Sequence, residues 1–238
     1  PHHKIETLKQ EKLYDLKNKK LIDFGYYKLE RILKEYSNYK KDSIKHKNIN
    51  DNIKILIAPS WGNNSIFNLC GEQLIDTLLA SDYVLYIRPH PMTLKKDHEL
   101  IKNLKNKYKD NKNIIFEDDI SETKSFYFSD LMITDWSGVS YEFAFGTERP
   151  VLFIDVPQKI MNEQYREIGI DPIDISIRNK IGRIIPVKDI NNIKKIIDDL
   201  IANKKEYRKS ILNERKKSVY NLGSSSKKGC DYILSLIN

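Results

Sequence analysis

The chain has 238 residues, a formal net charge of +8, 31% charged residues and 40% hydrophobic residues, so the composition excludes a fibrous or fully disordered protein. Its two cysteines lie far apart in the sequence, which argues against a disulfide scaffold and a zinc site. No apolar run approaches the roughly 20 residues that span a bilayer.

Residues 1–52 predict a helical appendage and a linker. Residues 4–20 and 26–39 carry apolar side chains at helical spacing, so each stretch predicts an amphipathic helix. Residues 40–52 are charged and Asn-rich and predict a long loop. Because the chain starts at Pro1 without a signal peptide, we expect a fragment of a longer protein.

From residue 53 onward, short apolar runs alternate with amphipathic segments of helix length. Continuous apolar runs indicate strands that are buried on both faces, as in a parallel sheet covered by helices. The predicted strands are 53–58, 83–87, 114–116, 131–133 and 151–154, and the predicted helices are 66–80, 95–109, 138–146, 189–202, 204–220 and 225–237. The pattern predicts an α/β fold over residues 53–238, a Rossmann-like open parallel sheet with helices on both faces.

Polar residues follow the predicted strands at the points where the strands end. Because ligands bind beyond the carboxyl ends of the strands in an open α/β sheet, these segments predict the site. The candidate residues are Ser60, Gly62, Arg88, His90, Asp135, Ser137, Gly138 and Glu142.

One candidate segment has the sequence RPHP at 88–91. Arg88 supplies a permanent cation, and His90 can donate a hydrogen bond or a proton near neutral pH. Such a pair suits a phosphate whose charge grows as a leaving group departs. A capped turn with a partly buried histidine is the alternative, but the position after a strand favours function.

A second candidate segment has the sequence TDWSGVS at 134–140 and leads from a strand into a helix. Ser137 can cap that helix and Gly138 lets a ligand approach the backbone, so the helix start predicts an anion site. For Asp135, helix capping and ligand binding are equal alternatives. The segment matches neither the P-loop nor the dinucleotide fingerprint.

The remaining candidates each have two interpretations. Glu142 predicts contacts with ribose hydroxyls, or else a solvated helix face. The loop of Ser60 and Gly62 is an amide-lined anion site or a plain βα turn. Trp61 and Trp136 can stack on a base, although wedging a loop against the core is the more frequent use.

Three segments together resemble the CDP-glycerol glycerophosphotransferase family, whose members make teichoic-acid-like and capsular polyol-phosphate polymers. They are ILIAPSWG (55–62), YIRPHP (86–91) and SDLMITDWSGVSYEFAFGTERPVLFID (129–155), and FGYYKL at 24–29 also fits. Trp136 stands where the family usually has Tyr, and Gly138 where many members have Ser.

The resemblance implies the donor-binding half of a GT-B-like transferase. Members transfer a polyol phosphate from a CDP-linked donor to a polymer hydroxyl and release CMP. The resemblance places His90 near the donor pyrophosphate and Ser137 in the phosphate-contacting loop, and we expect no metal and no cofactor. The family's second histidine, in a W-H-G-T-like element of the acceptor half, has no counterpart here, so we expect this chain to catalyse little alone.

The implied partners are CDP-glycerol or a similar donor, a lipid-linked polymer acceptor, an acceptor-binding N-terminal half of the same protein and an anionic membrane surface. The implied location is cytoplasmic, at the inner face of the cell membrane. Two other functions stay open: a UDP-sugar-dependent glycosyltransferase or epimerase-type domain, and a non-catalytic basic module that binds nucleic acid or protein. The sequence carries no RNP-type, zinc-finger or helix-turn-helix signature, so we expect no nucleic acid partner.

Overall fold

A parallel β-sheet forms the centre of the computed structural model, which describes residues 1–43, 52–117, 119, 123–158 and 163–237. Within these residues the strands are β1 Lys54–Ile57, β2 Val84–Ile87, β3 Ile114–Phe116, β4 Leu131–Thr134, β5 Val151–Asp155 and β6 Gly182–Pro186. They lie in the order β3-β2-β1-β4-β5-β6, and every neighbouring pair is parallel. The predicted α/β class with an open parallel sheet is therefore confirmed.

Helices cover both faces of the sheet. In the described residues they are α1 His2–Leu13, α2 Tyr27–Ser43, α3 Ile66–Leu79, α4 Pro91–Lys96, α5 His98–Tyr108, α6 Lys124–Phe128, α7 Val139–Thr147, α8 Ile173–Ser176, α9 Arg178–Ile181, α10 Ile193–Ala202, α11 Lys204–Ser218 and α12 Ser225–Leu234. Helices α3, α5 and α10 contribute to one apolar core, and α2, α6, α7, α9 and α11 to the other. None of these helices is both long enough and apolar enough to cross a membrane.

Strand β1 shows why two cores form. Its Ile55 and Ile57 belong to one core, whereas Leu56, together with Ala58 just after the strand, belongs to the other. Successive side chains of a strand point to opposite faces, so a continuous apolar run fills both cores at once. The apolar run at 53–58 therefore predicted correctly that this strand is buried on both faces of the sheet.

The N-terminal helices differ in length from the prediction. Helix α1 ends at Leu13, and α2 continues to Ser43, beyond the predicted end at Tyr39. Residues 44–51 of the predicted loop lie outside the described residues. The predicted domain boundary at residue 52 stays a prediction.

Helix α2 packs closely on α7. Its Leu29 and Ile32 are fully buried in the core that α7 shares. A Cβ at Gly146 of α7 would lie 2.3 Å from the Cγ2 of Ile32, so only glycine allows this approach. The contact brings the residues that precede α2 close to the start of α7.

Strand β6 was not among the predicted strands. Its sequence, GRIIP, begins with Gly and ends with Pro, two residues that weaken a strand pattern. Both are tolerated here because β6 lies at the edge of the sheet. A Cβ at Gly182 would meet the carbonyl oxygen of Val151 at 1.7 Å, so glycine permits the pairing with β5.

Candidate functional site

A cleft of about 350 Å³ lies where β1, β2 and β4 end. Strands β1 and β4 are neighbours at the point where the strand order reverses, which is where open α/β sheets bind ligands. The lining includes five predicted site residues, Arg88, His90, Ser137, Gly138 and Glu142. The prediction that Arg88, His90 and Ser137 face one cleft is therefore confirmed.

The guanidinium of Arg88 is held in a fixed position. Its Nη1 donates to Oε2 of Glu117 at 2.7 Å, and the side chains are only 12% and 15% exposed. The guanidinium also lies 5.5 Å from the centre of the Phe126 ring. Because Glu117 follows β3, the end of the neighbouring strand orients the cation at the end of β2.

His90 caps helix α4. Its Nδ1 accepts a hydrogen bond of 3.0 Å from the backbone N–H of Met92, with Pro91 at the first helical position. An imidazole nitrogen that accepts a hydrogen bond carries no proton, so the bond assigns the proton of the neutral ring to Nε2. The ring of Trp61 lies beside the imidazole, 6.3 Å between centres. The cap therefore presents His90 as an N–H donor.

The start of helix α7 forms another wall of the cleft. Ser137, Gly138 and Val139 line it, and among the described residues no side chain caps this helix. Uncapped amides at a helix start attract anions. Gly138 has φ −60°, so the backbone does not require glycine here. A Cβ would instead lie 2.8 Å from the hydroxyl of Tyr141, so the glycine makes room for that ring.

Tyr141 is a lining residue that the sequence did not predict. Burial, followed by the charge of Asp174, raises the pKa of Tyr141 to about 12. The phenol therefore stays protonated and can donate a hydrogen bond in the cleft. No motif marks the residue, and only the fold shows that it reaches the site.

Asp135 is not part of the lining. The residue is 1% exposed, and its carboxylate accepts from the backbone N–H groups of Ser60 at 2.7 Å and Ile66 at 3.0 Å. Burial raises the pKa of Asp135, and the hydrogen bonds from these amides oppose that rise. The carboxylate thus holds the loop after β1 and the first amide of α3, and a direct ligand contact stays a prediction.

Ser60 and Gly62 lie next to the cleft, outside its lining. Gly62 has φ +98°, and its carbonyl oxygen accepts from the N–H of Ser65 at 2.8 Å. These features describe a βα turn that leads into α3. Contacts of Ser60 and Gly62 with a ligand therefore stay predictions.

Trp136 wedges its loop against the core. Its indole N–H donates to the carbonyl oxygen of Val156 at 2.9 Å, and the guanidinium of Arg178 lies 4.0 Å from the ring centre. The ring contacts the core formed with α3, α5 and α10. These contacts favour the wedge over base stacking.

Glu142 lies in the lining with its carboxylate already engaged. It accepts hydrogen bonds from the hydroxyl of Tyr26 and from the ammonium of Lys28, whose Nζ lies 2.9 Å from Oε1 and 2.7 Å from Oε2. Burial and the bond to Glu142 raise the pKa of Tyr26, so its hydroxyl stays protonated. Lys28 lines the cleft too, although the sequence did not predict it. The ribose contact of Glu142 stays a prediction.

The cleft holds anion-binding groups and carries no obvious metal site. In the part of the chain that the structure describes, no group of three His, Cys, Asp or Glu side chains is placed to hold a metal ion. The lining instead includes two cationic residues, a histidine, a tyrosine and the start of a helix. Such groups suit a phosphate-bearing ligand.

The chain is similar to several known proteins. The chain is 29% identical, over 145 residues, to the teichoic acid poly(glycerol phosphate) polymerase of Bacillus spizizenii, a match that covers 57% of this chain and 35% of that polymerase. The structure is similar to that of the wall teichoic acid polymerase TagF, with a TM-score of 0.54 and 21% identity over 91% of this chain and 52% of that one. A similar fold occurs in the UDP-GlcNAc 2-epimerase of Methanocaldococcus jannaschii, with a TM-score of 0.54 and 16% identity over 94% of this chain and 57% of that one.

These relatives are longer than this chain, which spans about a third of the Bacillus polymerase and about half of TagF. The structural similarities, at such low identity, establish the fold. The family is established by a sequence profile described as CDP-glycerol:poly(glycerophosphate) glycerophosphotransferase, which matches residues 3–235. Because this match covers nearly the whole sequence, the chain belongs to that family of transferases.

Proposed function

We propose that the chain is the donor-binding domain of a transferase that moves glycerol phosphate, or a related polyol or sugar phosphate, from a CDP-linked donor to a cell-envelope polymer. The observation that carries the proposal is the cleft at the strand-order reversal. It combines Arg88, His90 and the open start of α7 in a chain of the glycerophosphotransferase family. A nucleoside diphosphate requires such groups around its pyrophosphate.

In the proposed reaction, an acceptor hydroxyl attacks the phosphorus that bears the glycerol. The bond between this phosphorus and the bridging oxygen breaks, and the oxygen leaves with CMP. The Nε2–H of His90 donates a hydrogen bond to the departing phosphate and offsets its growing negative charge. Arg88, Ser137 and the first amides of α7 hold the pyrophosphate. The base that takes the hydroxyl proton comes from an acceptor-binding part of the protein outside these 238 residues.

A nucleotide panel tests the choice of donor. Thermal melting of the full-length protein with CDP, CMP, UDP and UMP should show the largest stabilisation with CDP, because binding to the folded state alone raises its stability. Stabilisation by UDP and not by CDP would favour a UDP-sugar enzyme. If no nucleotide stabilises the protein, the donor-binding function is wrong.

We also propose that the protein acts at the inner face of the cell membrane on a lipid-linked acceptor. The net charge of +8 supports attraction to anionic lipid. Binding to vesicles that contain phosphatidylglycerol should weaken as salt rises, because the screening length falls to about 8 Å at physiological ionic strength. Binding that salt does not affect, or no binding at all, would contradict this location.

A further inference from the structure

The first turn of α2 brings a cation into the cleft that the sequence did not assign to the site. Lys28, in the first turn of α2, lines the cleft together with Arg88, His90 and Ser137. It belongs to the predicted N-terminal appendage, 60 or more residues away from those three in the sequence. The close packing of α2 on α7 at Gly146 explains how it reaches the site.

The ion pair of Lys28 and Glu142 is asymmetric. The side chain of Glu142 is 10% exposed and that of Lys28 is 43% exposed. The carboxylate is thus the buried partner, and Tyr26 donates a further hydrogen bond to it. Lys28 lines the cleft, and its ammonium has three N–H donors to distribute between partners.

A second ion pair also lies at the cleft, although its two side chains are about equally buried, Arg88 at 12% and Glu117 at 15% exposed. Arg88 lines the cleft and is oriented by Glu117, which is not among the lining residues. In both pairs a carboxylate from a neighbouring element fixes a cation at the wall of the cleft. Such preorientation lowers the entropy lost when the cation binds an anion.

We propose that Lys28 binds a phosphate group of the nucleotide-linked donor, and that Glu142 and Tyr26 position it. The proposal rests on the proposed function, because it takes the donor to be a nucleoside diphosphate. In the site, the ammonium keeps its contact with Glu142 and turns an N–H toward a phosphate oxygen. Glu142 then acts through Lys28 and does not itself bind the ribose.

The test uses titrations of the full-length protein with CDP and with cytidine, which lacks phosphate. A charge-assisted hydrogen bond is among the stronger kinds, so Lys28→Met should weaken CDP binding about tenfold or more and leave cytidine binding unchanged. Lys28→Arg keeps the positive charge, so its affinity for CDP should fall less than that of Lys28→Met. Lys34→Met, at an exposed lysine of the same helix, is the matched control and should bind CDP normally.

Lys28→Met also leaves the buried Glu142 without its cation, so reduced folding could imitate a binding defect. The double variant Lys28→Met/Glu142→Gln removes both charges and should regain the melting temperature while CDP binding stays weak. Recovery of CDP binding in the double variant would assign the ion pair a purely structural role and overturn the proposal. So would CDP binding by Lys28→Met within twofold of the unmodified protein.

The outcomes also separate this proposal from the proposed function. If the unmodified protein binds CDP and Lys28→Met binds it equally well, the function stands and the role of Lys28 is wrong. If the unmodified protein binds no nucleotide, both are wrong. If Glu142→Gln loses affinity for cytidine and CDP alike, Glu142 binds the ribose directly, and its role in positioning Lys28 is contradicted.

Discussion

His90 has two separable roles in the proposed site. Its Nδ1 accepts from the amide of Met92 and caps α4, and its Nε2–H donates to the departing phosphate in the proposed reaction. Asparagine is a favourable N-cap residue, and its side-chain oxygen can accept the same bond, but it has no imidazole. His90→Asn therefore keeps the cap and removes the proposed chemistry, whereas His90→Ala removes both.

The two roles have different expected magnitudes. Loss of an N-cap costs about 1 kcal/mol, which lowers the melting temperature of a domain of this size by roughly 2–4 °C. Loss of one oriented donor to a developing charge lowers turnover about 10²–10³-fold, or about 2.7–4 kcal/mol in activation free energy. We expect both variants to lose turnover and only His90→Ala to lose stability.

The assay measures release of CMP from CDP-glycerol by the full-length protein at saturating donor, together with thermal melting. Donor affinity should change less than turnover, because the hydrogen bond strengthens as charge accumulates on the leaving phosphate. Near-normal turnover of His90→Asn would refute the reasoning. If His90→Ala alone lost activity, in parallel with its stability, the imidazole would be only a helix cap.

Three further predictions concern the loop, the anion site and the linker. Asp135→Ala leaves the amides of Ser60 and Ile66 without their acceptor, so the free energy of unfolding measured by urea titration should fall by about 2–4 kcal/mol. A change under about 0.5 kcal/mol would show that Asp135 does not hold this loop. Ser137→Ala should weaken donor binding more than it lowers turnover at saturation, and the reverse order would move Ser137 from binding to catalysis. Trypsin should cut first between about residues 38 and 53, because this stretch is rich in Lys and poor in apolar residues. Resistance there would contradict the predicted linker.

The sequence predicted the sheet and the edge where the site lies, because both depend on local patterns. Apolar runs mark buried strands, and the carboxyl ends of parallel strands meet at one edge, so Arg88, His90 and Ser137 could be grouped without coordinates. Strand β6 lacks such a run, since Gly and Pro flank only two isoleucines.

Lys28 and Asp135 could not be assigned from local patterns. Lys28 reaches the cleft because α2 packs on α7, a tertiary contact that depends on the absence of a side chain at Gly146. Asp135 caps a helix 69 residues earlier in the chain, so its sequence neighbours carry no sign of that bond. In both cases the partner lies far away in the sequence, and only the folded chain brings the two together.

Because β1 and β4 are neighbours in the sheet, the cleft can form only after these two strands have paired. The hydroxyl of Thr134 donates to the carbonyl oxygen of Ala58 across 76 residues, and Ile57 pairs with Ile133. The chain must close this long loop before the contact contributes any energy, so the pairing is slow compared with helix formation. Under the proposed function, the onset of nucleotide binding during refolding should report closure of the central strands, because a nascent chain that lacks β4 has no complete cleft.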